Sequence, residues 1–88
     1  MKIPYPIKKN ALDKNLEMTI RVGKLGLNDS LVDELKQQLL KRKLVKMKIN
    51  QGVASSASDR KELFDSISSE SGSILVHQRG NTAVFWSG

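Results

Sequence analysis

Two short segments in the first half of the sequence alternate apolar and polar residues, and a helical repeat lies between them. Residues 17–22 alternate along their whole length and residues 44–50 alternate from Val45 onward, which predicts two strands with one buried face. Between them, Leu31, Leu35 and Leu39 recur at every fourth position, which predicts an amphipathic helix. If the two strands pair in parallel, their connection must be a right-handed crossover, so the helix covers one face of the sheet.

A second helix is predicted after the second strand. Residues 51–58 contain serine and glycine and are expected to form a loop. Ser56 or Ser58 can cap the helix that follows. We expect this helix to end near Ser71, because Gly72 is suited to the residue just past a helix terminus.

The end of the chain predicts a β-hairpin. Residues 73–78 are rich in β-forming side chains, and Gly80-Asn81 can form a tight turn into a last strand at 82–86. Residues 1–16 contain two prolines and no clean periodicity, so we expect an irregular N-terminal lead-in.

The predicted order is βαβαββ, an α/β two-layer sandwich formed by one domain at residues 17–88. It has a four-stranded mixed sheet with two helices on one face, which leaves the other face open. Arg21, Lys46 and Lys48 would lie on that open face. Like charges on neighbouring strands lower stability, so an anionic ligand would explain them, although long lysine side chains can equally cover a sheet while their ammonium groups reach water.

The charge is distributed unevenly along the sequence. The chain of 88 residues carries a formal charge of +6, and residues 1–50 hold 12 Lys or Arg against 5 Asp or Glu. A basic surface of this kind favours a polyanionic partner, and solubility alone is the alternative.

Several classes of function lack their required residues. There is no cysteine, and the single histidine, His77, is interpreted as a surface or hairpin residue. No cluster of ligands at metal-binding spacing is visible, and Ser68, Ser69 and Ser71 have no histidine nearby to activate them. We therefore expect no enzymatic activity, no metal, no cofactor and no small-molecule substrate. The sequence also lacks an apolar run long enough for a membrane span, so we expect a cytoplasmic protein that does not associate with membranes.

The segment Gly23-Lys24-Leu25-Gly26, the glycine loop, joins the first strand to the first helix. Glycine lets a chain turn sharply and lets a sugar-phosphate backbone approach closely, and a helix start favours a phosphate. Lys24 adds a full positive charge, and the loops of KH domains hold nucleotides with the same Gly-x-x-Gly spacing. The spacing is common by chance, so an ordinary turn is the alternative. A Walker A motif is absent, because Leu25 stands where Ser or Thr would follow the lysine.

Three stretches resemble the CRM domain (chloroplast RNA splicing and ribosome maturation), the YhbY-like family. They are residues 20–29 with the glycine loop, residues 43–49 with their Leu-Val-Lys-Met-Lys strand, and residues 79–86 with a closing hairpin and terminal aromatic. The resemblance implies a fold like the C-terminal domain of translation initiation factor three. It also implies RNA binding through Gly23, Lys24, Leu25 and Gly26, supported by Lys46 and Lys48, in ribosome assembly or RNA processing.

We therefore expect an RNA-binding protein, a monomer, whose partner is ribosomal RNA or a pre-ribosomal particle. The residues expected to contact RNA are Arg21, Gly23, Lys24, Leu25, Gly26, Lys46 and Lys48. Two alternatives share the same charge: a small basic protein that binds duplex DNA or chromatin, and a protein-interaction module.

Overall fold

The computed structural model describes residues 3–23, 28–50, 52 and 56–88. Within these ranges the chain forms three helices and four strands. In chain order they are α1 (Tyr5–Ala11), β1 (Met18–Val22), α2 (Asp29–Lys41), β2 (Leu44–Ile49), α3 (Ala57–Ser71), β3 (Ile74–Arg79) and β4 (Thr82–Trp86).

The strands form one mixed sheet in the order β1-β2-β4-β3. The two N-terminal strands, β1 and β2, pair in parallel, as the crossover connection through α2 requires. Strand β4 pairs antiparallel with both β2 and β3. The predicted four-stranded mixed sheet is therefore confirmed, and its closing hairpin turns at Gly80, whose φ is +56°.

The main hydrophobic core lies between the sheet and helices α2 and α3. Val45, Met47 and Ile49 of β2 are at most 1% exposed, so the predicted inward face of this strand is confirmed. Phe64 of α3 and Phe85 of β4 meet there with their ring centroids 6.2 Å apart. Both predicted helices thus cover the same face of the sheet.

Local capping sets the starts of these two helices. The Asn28 side chain accepts a hydrogen bond from the backbone N–H of Leu31 at 2.9 Å, which begins α2. Of the two serines considered for α3, Ser56 is the cap: its Oγ accepts from the backbone N–H of Asp59 at 3.1 Å. Gly72 ends α3 with a left-handed φ of +67°.

The expectation of an irregular N-terminal segment is wrong for Tyr5–Ala11, which form helix α1. The two prolines contributed to that expectation, but Pro4 is the N-cap residue and Pro6 lies in the first turn. At those positions a helix has no intrahelical use for an N–H, and the fixed φ of proline suits the helix.

Helix α1 packs on the face of the sheet opposite α2 and α3. A second apolar cluster joins Ala11 to Leu44 of β2 and Val84 of β4, with Trp86 packed at its side. The predicted open face is therefore covered in part, and a short third layer is added to the two-layer sandwich. Within the described ranges, no helix is long and apolar enough to cross a membrane.

Candidate nucleic-acid interface

A row of side chains crosses all four strands on the α1 face of the sheet. Arg21 of β1 is paired in register with Lys48 of β2, Lys48 with Thr82 of β4, and Thr82 with Arg79 of β3. We call these four residues the cation row. Residues paired in this way point to the same face, and all three cationic side chains are exposed. The predicted placement of Arg21 beside Lys48 on neighbouring strands is confirmed.

Charge repulsion within the cation row is not relieved by carboxylates. In the part of the chain that the structure describes, neither Arg21, Lys48 nor Arg79 forms an ion pair. The ion pair that does occur there joins Arg42 to Glu17 at 3.8 Å, and both side chains are largely exposed. The cation row therefore keeps its positive charge available to a ligand.

Lys46 lies on the same face but in a more enclosed position. It is half-buried and is paired with Val84, which in turn is paired with His77 of β3. Because Lys46 and Lys48 are two positions apart on β2, they share a face, as predicted. Helix α1 packs beside Lys46, which explains its lower exposure.

A groove of about 280 Å³ lies where the end of α1 meets the sheet. We call it the α1 groove. Ala11, Leu12 and Val84 form its apolar part. Its polar lining comes from six side chains: Asp13, Lys14, Lys46, His77, Arg79 and Thr82. Three of these carry a fixed positive charge and one a negative charge, so the groove has a net positive lining. Arg79 and Thr82 belong both to the groove and to the cation row, so the two are continuous.

Sequence reasoning missed Arg79, Lys14 and His77 as members of this surface. The sequence did contain a signal for Arg79. His77 and Arg79 are two positions apart, so a strand that continues up to Gly80 places both side chains on the same face of the sheet. The third strand is predicted at residues 73–78, which leaves Arg79 just outside it. Lys14 follows α1, a helix that was not predicted, so no sequence signal connected it to the sheet.

The positive charge is separated from the acidic residues by layer. Helices α2 and α3 hold seven of the nine acidic residues and four of the fifteen basic ones, a net charge of −3. The remainder of the chain holds eleven basic and two acidic residues, a net charge of +9. In the sequence, the uneven charge is a difference between residues 1–50 and residues 51–88. In the fold, it is a difference between helices α2 and α3 and the remainder of the chain.

The glycine loop begins at the carboxyl end of β1. Gly23 is exposed, and Lys24, Leu25 and Gly26 lie outside the described residues. The chain resumes at Asn28, the cap of α2, so the loop connects a strand end to a helix start as predicted. Arg21 is two positions before Gly23 and belongs to the cation row, which places one end of the row next to the loop.

The described residues contain no group of three or more potential metal ligands. The basic side chains of the cation row and the α1 groove offer hydrogen-bond donors and positive charge. Arginine and lysine side chains of this kind bind phosphate oxygens.

The family model of the CRS1/YhbY (CRM) domain matches residues 8–87. The chain belongs to this family. The match confirms the resemblance carried by the three stretches and extends it into α1. A search of curated proteins gives no match.

A solved structure supports the fold of this CRM domain independently. The solution structure of the hypothetical protein SAV1595 from Staphylococcus aureus, described as a candidate RNA-binding protein, matches with a TM-score of 0.74 at 26% identity. The match covers 92% of this chain and 83% of the other. The α/β architecture of the CRM domain is thus shared by a protein with about a quarter of its residues identical.

Proposed function

We propose that this CRM domain binds RNA, with the glycine loop and the adjacent cation row as its contact surface. The observation that carries the proposal is the unpaired row of cations that crosses the sheet and has one end beside Gly23. Membership of the CRM family and the similarity to an S. aureus protein described as a candidate RNA binder support it.

RNA phosphates would relieve the charge repulsion within the cation row. Side-by-side cations on neighbouring strands repel one another and lower stability. A sugar-phosphate backbone removes that repulsion, and each neutralised phosphate releases counterions, which favours binding. Lys24, which lies between the two glycines of the loop sequence, would add a charge where glycine permits close approach of the RNA backbone.

The finer assignment follows from the resemblance to the CRM family. We infer that the RNA is structured, ribosomal or pre-ribosomal, and that the protein acts in ribosome assembly or RNA processing as a cytoplasmic monomer without catalysis. Leu25 and Gly26 complete the loop in this assignment, and Lys46 and Lys48 support it from the sheet.

The test is a filter-binding titration of structured ribosomal RNA against wild type and two charge-reversal variants, with excess duplex DNA as competitor. Lys24→Glu places a negative charge at the loop, and we expect affinity to fall at least about tenfold because like charges at an interface are strongly unfavourable. Lys36→Glu is the matched control: Lys36 is exposed on α2, away from the sheet face, and the change in net charge is identical.

The proposal predicts RNA binding that survives the competitor and is weakened by Lys24→Glu only. Equal competition by duplex DNA would instead indicate a general duplex binder. Equal affinity of both variants would show that the glycine loop is only a turn. Circular dichroism spectra of the variants establish that each is folded.

A further inference from the structure

The α1 groove lies at the opposite end of the cation row from the glycine loop. Strands β1 and β3 are the two edges of the sheet, and Arg21 and Arg79 are the ends of the row on those edges. Three strand spacings separate them, roughly 14 Å between backbones. This span is too long for one phosphate, so a ligand that uses the whole row must present several.

Lys14, Lys46 and Arg79 converge on the groove from three different elements. Lys14 comes from the segment after α1, Lys46 from β2 and Arg79 from β3, and His77 and Thr82 add polar groups to the lining. Asp13 is the one carboxylate there, and no ion pair joins it to any of these side chains. Cationic side chains brought together in a concave site, with polar groups between them, are suited to a phosphate group.

Neither the cation row nor the α1 groove contains a Phe, Tyr or Trp side chain that could stack on unpaired bases, and the imidazole of His77 is the one ring in the groove lining. All four aromatic residues of the chain are among those the structure describes. Phe64 and Phe85 are fully buried, and Trp86 is packed against the cluster under α1. Tyr5 alone is strongly exposed, at 74%, and it lies on α1 outside both the row and the groove.

Proteins that bind single strands typically combine basic grooves with aromatic platforms. Paired RNA hides its bases and presents phosphates at fixed spacing, and it is recognised largely by shape and backbone. Cationic side chains held by a β-sheet have a fixed spacing. They therefore suit the regularly spaced phosphates of paired RNA better than those of a flexible single-stranded RNA.

We propose that the cation row and the α1 groove form one binding surface for the sugar-phosphate backbone of base-paired RNA, with a phosphate held in the groove. This inference rests on the proposed RNA-binding function and adds two things to it: a second contact region, centred on Arg79 and Lys14, and a preference for paired over single-stranded RNA.

The first experiment compares Arg79→Glu, Arg79→Gln and the Lys36→Glu control in binding to a blunt RNA duplex. Arg79 is exposed, so neither change disturbs the core. We expect Arg79→Glu to lose at least about tenfold in affinity, Arg79→Gln to lose less, and the control to stay within about twofold of wild type. Thermal melts of each variant confirm an intact fold.

The second experiment compares the wild-type protein on the RNA duplex and on one of its strands alone, at equal salt and with a sequence that does not fold on itself. We expect the duplex to bind at least about tenfold more tightly. Equal or tighter binding of the single strand overturns the preference, and an Arg79→Glu variant that binds like the control overturns the second contact region.

Failure of this inference is distinguishable from failure of the proposed function. If wild type binds RNA and Lys24→Glu weakens it while Arg79→Glu does not, the glycine loop is the contact and the groove is not. If wild type binds no RNA, the proposed function itself is wrong.

Discussion

Gly23 and Gly72 are both exposed glycines, but only Gly72 has a backbone conformation that favours glycine. Its φ of +67° lies in the left-handed region, where a Cβ is strained, whereas Gly23 does not have a positive φ. A Cβ added to either residue meets no atom within 4 Å. The role of Gly72 is therefore conformational, whereas neither the φ of Gly23 nor a described neighbour requires glycine at position 23.

At the scale of single residues, we predict that alanine at position 72 lowers stability, whereas alanine at position 23 weakens RNA binding. Gly72→Ala should lower the free energy of unfolding by about 1 kcal/mol, the cost of a side chain in the left-handed region. Gly23→Ala should leave that free energy unchanged within about 0.5 kcal/mol but weaken RNA binding. Urea denaturation and RNA titration of both variants measure this. A stable Gly23→Ala variant with wild-type affinity would show that no backbone approaches the ligand at Gly23.

Helices α3 and α1 differ in how much apolar surface they bury against the sheet. Helix α3 has a narrow apolar face, but Phe64 and Ile67 on it are fully buried in the main core. Helix α1 has seven residues and packs on the smaller cluster around Ala11 and Val84. A helix this short is unstable in isolation, so α1 depends on its contacts with the sheet.

Truncation of one apolar side chain on each helix should expose this difference. Phe64→Ala removes a fully buried ring that meets Phe85, and we expect a loss of about 3–5 kcal/mol in unfolding free energy. Ile7→Ala, on α1, should cost clearly less because Ile7 is only partly buried. Chemical denaturation of both variants measures the two losses. A loss at Ile7 equal to that at Phe64 would show that α1 is integral to the main core.

At the scale of the whole molecule, charge differs between the layer of α2 and α3 and the other described elements. Helices α2 and α3 carry a net charge of −3, whereas α1 and the four strands hold six basic residues and no acidic one. This arrangement orients the molecule toward a polyanion, because the basic side attracts phosphates while the acidic side repels them. It also makes the interaction sensitive to ionic strength.

We predict a steep salt dependence of RNA binding that reports the number of phosphate contacts. Removing one contact with Lys48→Gln should reduce the slope of log affinity against log salt concentration by about 0.7–0.9. Lys36→Gln, which removes the same charge on the acidic side, should leave the slope unchanged. Titrations at several salt concentrations test this. Equal slopes for wild type and Lys48→Gln would mean that Lys48 contacts no phosphate.

The elements with strong local signals were predicted from the sequence. Alternation in residues 17–22 and 44–50 predicted β1 and β2 because a buried sheet face repeats every second residue. Gly72 marked the end of the second predicted helix because this kind of helix end depends on one φ angle. The family resemblance likewise rested on short contiguous stretches, and the match over residues 8–87 confirms it.

The tertiary structure decided what depends on residues far apart in the chain. Helix α1 was missed because proline occurs both in the first turn of a helix and in segments that are not helical, so its presence does not distinguish the two. The packing of α1 on Leu44 and Val84 is what favours the helix here. The α1 groove could not be predicted for the same reason. Its charges come from Lys14, Lys46 and Arg79, which strand order and register bring together and which nothing in their spacing connects. Local patterns determine where most of the helices and strands form, packing on the sheet decides α1, and the pairing of distant strands determines which charges share a surface.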